Sequence, residues 1–262
     1  MSKILPKNAI KETFEWLAEV GVDEVILDTP QSRFEKKVDK SGAKITQDMA
    51  VPIKKVAMPK ASIDLQALEK IQTLEDLRNY MQAFDHCGLK HTATNMVFSD
   101  GNSKAKVMIV GEAPGADEDR LGKPFVGMSG QLLDKALLSI GLSREKNIYI
   151  SNIIPWRPPG NRPPTQEEID ICLPLIQKHI ELIKPELLIC VGGVSVKSLL
   201  KSKEAISKLR GTLHTYSIAN QSVPLLATYH PAFLLRSPYR KRDVWLDLLL
   251  AKEKMIELGL AA

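Results

Sequence analysis

Four short stretches of this 262-residue chain hold residue types that chemistry uses. GEAPGADEDRLGKPFVGMSG, residues 111–130, is dense in Gly and Pro and carries the acids Glu112, Asp117, Glu118 and Asp119 together with Phe125. Asn152 stands before the proline-rich IIPWRPPGNRPP. Gly192-Gly193 marks a turn, and Tyr229-His230-Pro231 precedes AFLLRSPYRKR. An Asn amide both donates to and accepts from the edge of a pyrimidine. A Phe ring stacks on a flat ring. A His N–H stabilises a carbonyl oxygen that gains negative charge. A carboxylate orients water or stabilises a cationic sugar-like transition state. Each piece alone is compatible with a turn, a cap or a structural residue, so a functional reading needs them in one place.

The elements around these loops bring them together. Apolar runs at 107–110, 148–151, 187–191 and 224–228 read as buried strands, and each leads into one of the four loops. GQLLDKALLSIGL between the first two predicts a helix closed by Gly141. TQEEIDICLPLIQKHIELIK predicts a second, with Thr165 and Glu168 at capping-box spacing. Ile169, Cys172, Ile176, Ile180 and Ile183 form its apolar face, and Pro174 predicts a kink or a late start. Leu74, Leu77, Met81 and Phe84 make another helical stripe behind Thr73, and a last amphipathic helix follows Asp243. This alternation predicts an α/β fold, a parallel sheet covered by helices on both faces. Ligands of such sheets bind beyond the carboxyl ends of the strands. The four loops therefore converge on one edge. The proline loop, the Gly192-Gly193 helix start and the Leu234-Leu235-Arg236 segment can there hold phosphates and wedge a duplex. Together the groups describe an enzyme that flips a base out of DNA and cuts its N-glycosidic bond. A nucleotide-phosphate site is disfavoured, because GxGxxG and GxxxxGK[ST] are missing and the first loop is acidic.

Charge and composition agree with a nucleic-acid partner. The chain has 36 basic and 31 acidic residues, a net +5. Residues 1–75 balance, whereas residues 201–243 hold eight basic and two acidic groups. Such a local excess suits a polyanion. Arg240, Lys241 and Arg242 follow the wedge segment and are expected to face phosphate. A hydrophobic share of 44% is ordinary for a globular protein. No apolar run reaches the ~18–20 residues of a membrane span, and Met1–Ile10 lacks the apolar core of a secretory leader. Three widely spaced cysteines, Cys87, Cys172 and Cys190, form no disulfide framework and fit a reducing cytoplasm. Residues 11–20 predict a short helix closed by Gly21, and 29–62 read as a linker.

GEAPGADEDRLGKPFVGMSGQLLD, SNIIPWRPPGNRPPTQEE and TYHPAFLLR resemble the family 4 uracil-DNA glycosylases over residues 80–250. The resemblance implies a three-layer α/β/α sandwich around a four-stranded parallel sheet, as a catalytic domain over 66–262 with an N-terminal extension at 1–65. It places Glu112, Ala113 and Glu118 in the catalytic motif, with either carboxylate able to handle the water. It sets Phe125 under the uracil ring, Asn152 on the uracil edge, and His230 beside the departing uracil anion. It puts Leu234, Leu235 and Arg236 in a loop at the DNA gap. The family holds a [4Fe–4S] cluster through four cysteines, whose positions here read Phe84, Cys87, Trp156 and Cys172. Two thiolates are not four, so no cofactor is expected, and the two rings are expected to pack against the two thiols. The leading expectation is removal of uracil from DNA in base-excision repair, with no strand cleavage. The alternatives are a non-catalytic DNA-binding relative serving a repair or polymerase complex, and a glycosylase for hypoxanthine or another deaminated base.

Overall fold

A computed structural model describes residues 64–219 and 221–260. The predicted helix at 11–20, the linker at 29–62 and nearly all of the extension 1–65 lie outside the described residues. The chain runs α1 (Leu65–Glu69), α2 (Leu74–Ala83), β1 (Asp100–Gly101), β2 (Val107–Gly111), α3 (Ala116–Leu121) and α4 (Met128–Leu138). It continues with β3 (Ile148–Asn152), α5 (Gln166–Ile183), β4 (Leu187–Val191), α6 (Gly193–Leu200) and α7 (Ile206–Leu209). β5 (Leu213–Ile218), β6 (Gln221–Thr228), α8 (Pro231–Arg236) and α9 (Lys241–Glu257) complete it.

The sheet has the order β1-β3-β2-β4-β6-β5. Its four central strands are parallel and are the four apolar runs of the sequence. β2, β3 and β4 are buried at every position, as strands covered on both faces must be. Side chains alternate between two cores. Met108, Val110, Leu188, Cys190, Leu225 and Ala227 pack with Leu77 and Met81 of α2 and Leu175, Ile176 and Ile180 of α5. Val107, Ile109, Ile148, Ile150, Ile189 and Leu226 pack with Leu133 and Leu137 of α4 and Val244 and Leu248 of α9. That alternation is the three-layer sandwich. β1 and β5 are additional, antiparallel to β3 and β6. The sequence pattern hides them because β1 has two residues and β5 fully buries only Tyr216.

Local signals place the helix ends. Thr73 accepts from the Asp76 N–H at the start of α2. Thr165 and Glu168 form the capping box of α5, which runs unbroken from Gln166 through Pro174, so no late start occurs. α4 ends in a Schellman turn. Gly141 takes φ +84°, Leu142 N–H donates to the Leu137 carbonyl, and Gly141 N–H donates to that of Leu138. α9 begins at Lys241, two residues before Asp243.

Phe84, Cys87, Trp156 and Cys172 meet in the first core. The Phe84 and Trp156 rings stack at 6.0 Å and 5°, and the Cys87 and Cys172 sulfurs lie 3.8 Å apart. Trp156 is among the largest fully buried side chains. Trp156→Ala is expected to cost ~3–5 kcal/mol of stability, as truncation of a buried ring does. Urea unfolding of the purified variant measures it.

Candidate active site

β2 and β3 end side by side, with Gly111 opposite Asn152. The pairing extends past the strands, since Ile153 N–H donates to Gly111 and Ile154 N–H to Glu112. The first loop is thereby fixed against the third strand of the chain. A Cβ built on Gly111 would lie 2.2 Å from Asn152 Oδ1 and 2.5 Å from the Phe125 ring. Glycine at 111 lets the amide and the ring meet. Asn152 is 4% exposed, and its Oδ1 is buried without a hydrogen-bond partner among the described residues. A buried acceptor left empty costs free energy that a ligand's N–H recovers.

The two candidate carboxylates differ sharply. Glu118 uses both oxygens on backbone. Oε2 accepts from Gly115 N–H at 3.1 Å, and Oε1 accepts from Val126 and Gly127 at 2.8 and 2.9 Å. It ties the start of α3 to the segment that carries Phe125. The Glu112 carboxylate has no hydrogen-bond partner among the described residues, and burial raises its pKa above the usual range. Asp119 is also buried and accepts from the Thr94 and Asn95 N–H groups, which ties down the 94–95 backbone.

His230 caps α8, its Nδ1 accepting from the Ala232 N–H at 3.2 Å. An accepting Nδ1 leaves the proton on Nε2 in the neutral ring. Burial and the nearby Arg236 lower its pKa to about 4, against the opposing pull of Glu118. Its ring centroid is 5.6 Å from that of Phe125. Glu112, Ala113, Glu118, Phe125, Asn152, His230 and Arg236 line one cleft of ≈ 430 Å³. Pro114, Ser129, Pro158, Asn161, Arg162, Ala232 and Phe233 line it too, beyond the residues expected from the sequence. The signal for Asn161 and Arg162 was the rigid proline loop itself, whose Arg162 makes paired bonds to Glu168 at 2.6 and 2.9 Å.

The other expected DNA contacts divide. Leu234 and Leu235 sit on α8 rather than in a loop. Leu234 is 3% exposed and packed in the second core, so it cannot face DNA, whereas Leu235 is 43% exposed. Gly192 is buried with φ +106°, and a Cβ there would lie 3.3 Å from the His230 Cβ. It supports the imidazole, and neither it nor Gly193 lines the cleft. Lys241 and Arg242 are exposed. Arg240 donates to Asp243 at 3.0 Å and lies over the Tyr239 ring.

The family model described as the Uracil DNA glycosylase superfamily matches residues 98–252, a span holding every residue of this cleft. The chain belongs to the uracil DNA glycosylase superfamily. It is 39% identical over 181 residues to a type-4 uracil-DNA glycosylase of Pyrobaculum aerophilum, covering 68% of this chain and 92% of the relative. It is 37% identical over 177 residues to the type-4 uracil-DNA glycosylase of Archaeoglobus fulgidus, covering 66% of this chain and 88% of the relative. The Saccharolobus solfataricus type-4 uracil-DNA glycosylase is 37% identical over 190 residues, 71% of this chain and 88% of its own length.

These relatives correct one expectation. Type-4 uracil-DNA glycosylases are known as iron–sulfur cluster enzymes, so the expectation of no cofactor does not stand. The residues at the four cluster positions do not fit four-thiolate ligation, because two are thiols and two are the stacked rings of Phe84 and Trp156. Among the described residues no three His, Cys, Asp or Glu side chains gather as a metal site. Nor is any helix among the described residues long and apolar enough to cross a membrane.

The buried imidazoles make stability depend on pH. His230 titrates near 4 and the fully buried His179, hydrogen-bonded to Tyr149, near 3. The unfolded chain takes up these protons near pH 6.5, whereas the folded chain refuses them until far lower pH. Stability from this source is therefore complete above pH 6.5 and declines as pH falls toward 4. Urea unfolding at pH 7, 6 and 5 is expected to show that decline, with a shallower slope in His230→Gln.

Proposed function

We propose that this chain is a monofunctional uracil-DNA glycosylase, a hydrolase that cuts the N-glycosidic bond of uracil in DNA and leaves an abasic site for base-excision repair. The observation that carries this reading is the buried, unpartnered Asn152 Oδ1, in a cleft that the Phe125 ring and His230 also line. A flipped uracil stacked on Phe125 offers that oxygen its N3–H and offers the amide N–H₂ its O4. Cytosine reverses both groups, setting acceptor against acceptor and donor against donor. A site built on buried hydrogen bonds rejects such an analogue strongly.

The roles of the other residues follow from their surroundings. Neutral His230 presents Nε2–H to the uracil O2, where charge gathers as the bond breaks. A neutral donor suits this role because its pKa of about 4 keeps it from protonating the base. Glu112, desolvated and without a partner, orients the water. The water oxygen bonds to C1′ while the C1′–N1 bond breaks, the bonding pair leaves with uracil, and the water's proton passes to Glu112. Glu118, saturated by three backbone N–H groups, positions the loop instead. No lysine lines the cleft among the described residues, which supports base removal without a Schiff base or strand cleavage. Leu235 and Arg236 at the exposed face of α8, and Lys241 and Arg242 beyond it, are assigned to the DNA. We take 66–262 as the catalytic domain and 1–65 as an extension, in a cytoplasmic enzyme.

Incubation with a uracil-containing oligonucleotide, followed by alkali cleavage and gel separation, tests the activity. A cleaved product is expected, and its absence from a folded sample overturns the reading. Asn152→Ala is expected to lower the single-turnover rate about fivefold to 150-fold, from the loss of ~1–3 kcal/mol of hydrogen bonding in the transition state. Its DNA affinity should change little, because phosphate contacts dominate binding. Lys241→Ala and Arg242→Ala should each flatten the plot of log affinity against log salt by roughly one unit. The Arg240→Ala effect is expected to be smaller, since Arg240 already spends its charge on Asp243.

A further inference from the structure

Arg144 lies in the turn between α4 and β3, outside every motif and outside the cleft lining. Its side chain is only 13% exposed, yet its guanidinium makes four hydrogen bonds. Nε donates to Asp134 at 2.8 Å, and Nη1 donates to Asp100 at 3.0 Å and to the Pro124 carbonyl at 2.8 Å. Nη2 donates to the Phe125 carbonyl. Both carbonyls belong to the segment that carries the stacking ring.

Phe125 itself has φ +53°, a left-handed conformation that a bulky aromatic residue rarely adopts. A glycine would take it without strain but would bring no ring. The peptide joining Phe125 to Val126 is held at both ends. Its carbonyl accepts from Arg144, and its N–H donates to Glu118 at 2.8 Å. A cation sits at the negative end of that peptide dipole and a carboxylate at the positive end. Rotation of the peptide would break both charge-assisted bonds together. Gly130 of α4 lies so close that a Cβ there would come 1.8 Å from the same carbonyl oxygen, so the helix blocks that side as well.

We infer that Arg144 is a positioning residue for the base-stacking ring, holding the strained Phe125 peptide against the carboxylates of Asp100 and Asp134 so that the ring stays turned into the cleft. This rests on the excision reading, in which Phe125 is the surface under uracil. Lysine cannot replace the planar fork, because an ammonium cannot bridge two carbonyls and two carboxylates in one plane.

A double-mutant cycle tests it. Arg144→Lys and Phe125→Ala are each expected to lower the single-turnover excision rate at least tenfold, with DNA affinity within about twofold of wild type. The double variant is expected to be no slower than Phe125→Ala alone, because Arg144 acts through that ring. Independent, multiplying losses would overturn the inference, as would a wild-type rate in Arg144→Lys. Hydrogen exchange supplies a readout that needs no activity. The Val126 and Gly127 amides should exchange faster in Arg144→Lys while those of β2 and β4 do not change, and unaltered protection overturns the clamp. If wild type excises no uracil, the functional reading fails while the exchange data still decide the clamp. Should Arg144→Lys not fold, Asp134→Ala removes one anchor and is expected to speed exchange of the same two amides; unaltered exchange there overturns the inference.

Discussion

The cleft depends on the side-by-side ending of β2 and β3. Parallel pairing sets Gly111 against Asn152, and the missing Cβ at 111 leaves the space in which an amide and an aromatic ring can meet. Any larger residue would drive its Cβ into both. Around that contact everything else is support. The strands are buried on both faces, so their ends cannot shift without disturbing two cores at once. The order β3-β2-β4 then makes β2 the point where successive connections leave in opposite directions, the place where open α/β sheets form their ligand crevice.

Two carboxylates six residues apart serve different ends because their surroundings differ. Glu118 meets three amides and becomes part of the scaffold. Glu112 meets none and is left desolvated, with its affinity for a proton raised. The same logic applies to the imidazole. His230 is kept neutral by burial and by Arg236, and a backbone N–H fixes which nitrogen carries its proton. Preorganised donors and acceptors of this kind need no rearrangement during reaction.

Beneath the last loop a buried ion pair gives similar support. Asp247 of α9 is fully buried and receives Arg210 at 2.6 and 3.0 Å and the Thr228 hydroxyl at 2.7 Å. Burial pushes its carboxyl up, while Arg210 and Thr228 act against that shift. Thr228 ends β6 two residues before His230, and its carbonyl accepts from Gly192 N–H. The pair thus joins α9, the end of β6 and the Gly192 turn beneath the imidazole. Losing either charge would strand the other in the core.

The sequence by itself determined the four parallel strands, the capping box of α5, the Gly141 turn and the placing of Asn152 and His230 at or just past the carboxyl ends of strands. Each is written in local pattern: an apolar run, a Thr–Glu spacing, a glycine after a helix, or a polar residue at a strand's carboxyl end. Only the tertiary structure decided that Leu234 turns inward while Leu235 turns outward, because helix phase is set by what α8 docks against. It alone added β1 and β5, since edge strands need few buried side chains. It alone separated Glu112 from Glu118, and brought Arg144 to Phe125 across 19 positions of chain. These outcomes depend on which backbone groups meet a side chain in space, and residue order does not carry that information until the sheet and helices have packed.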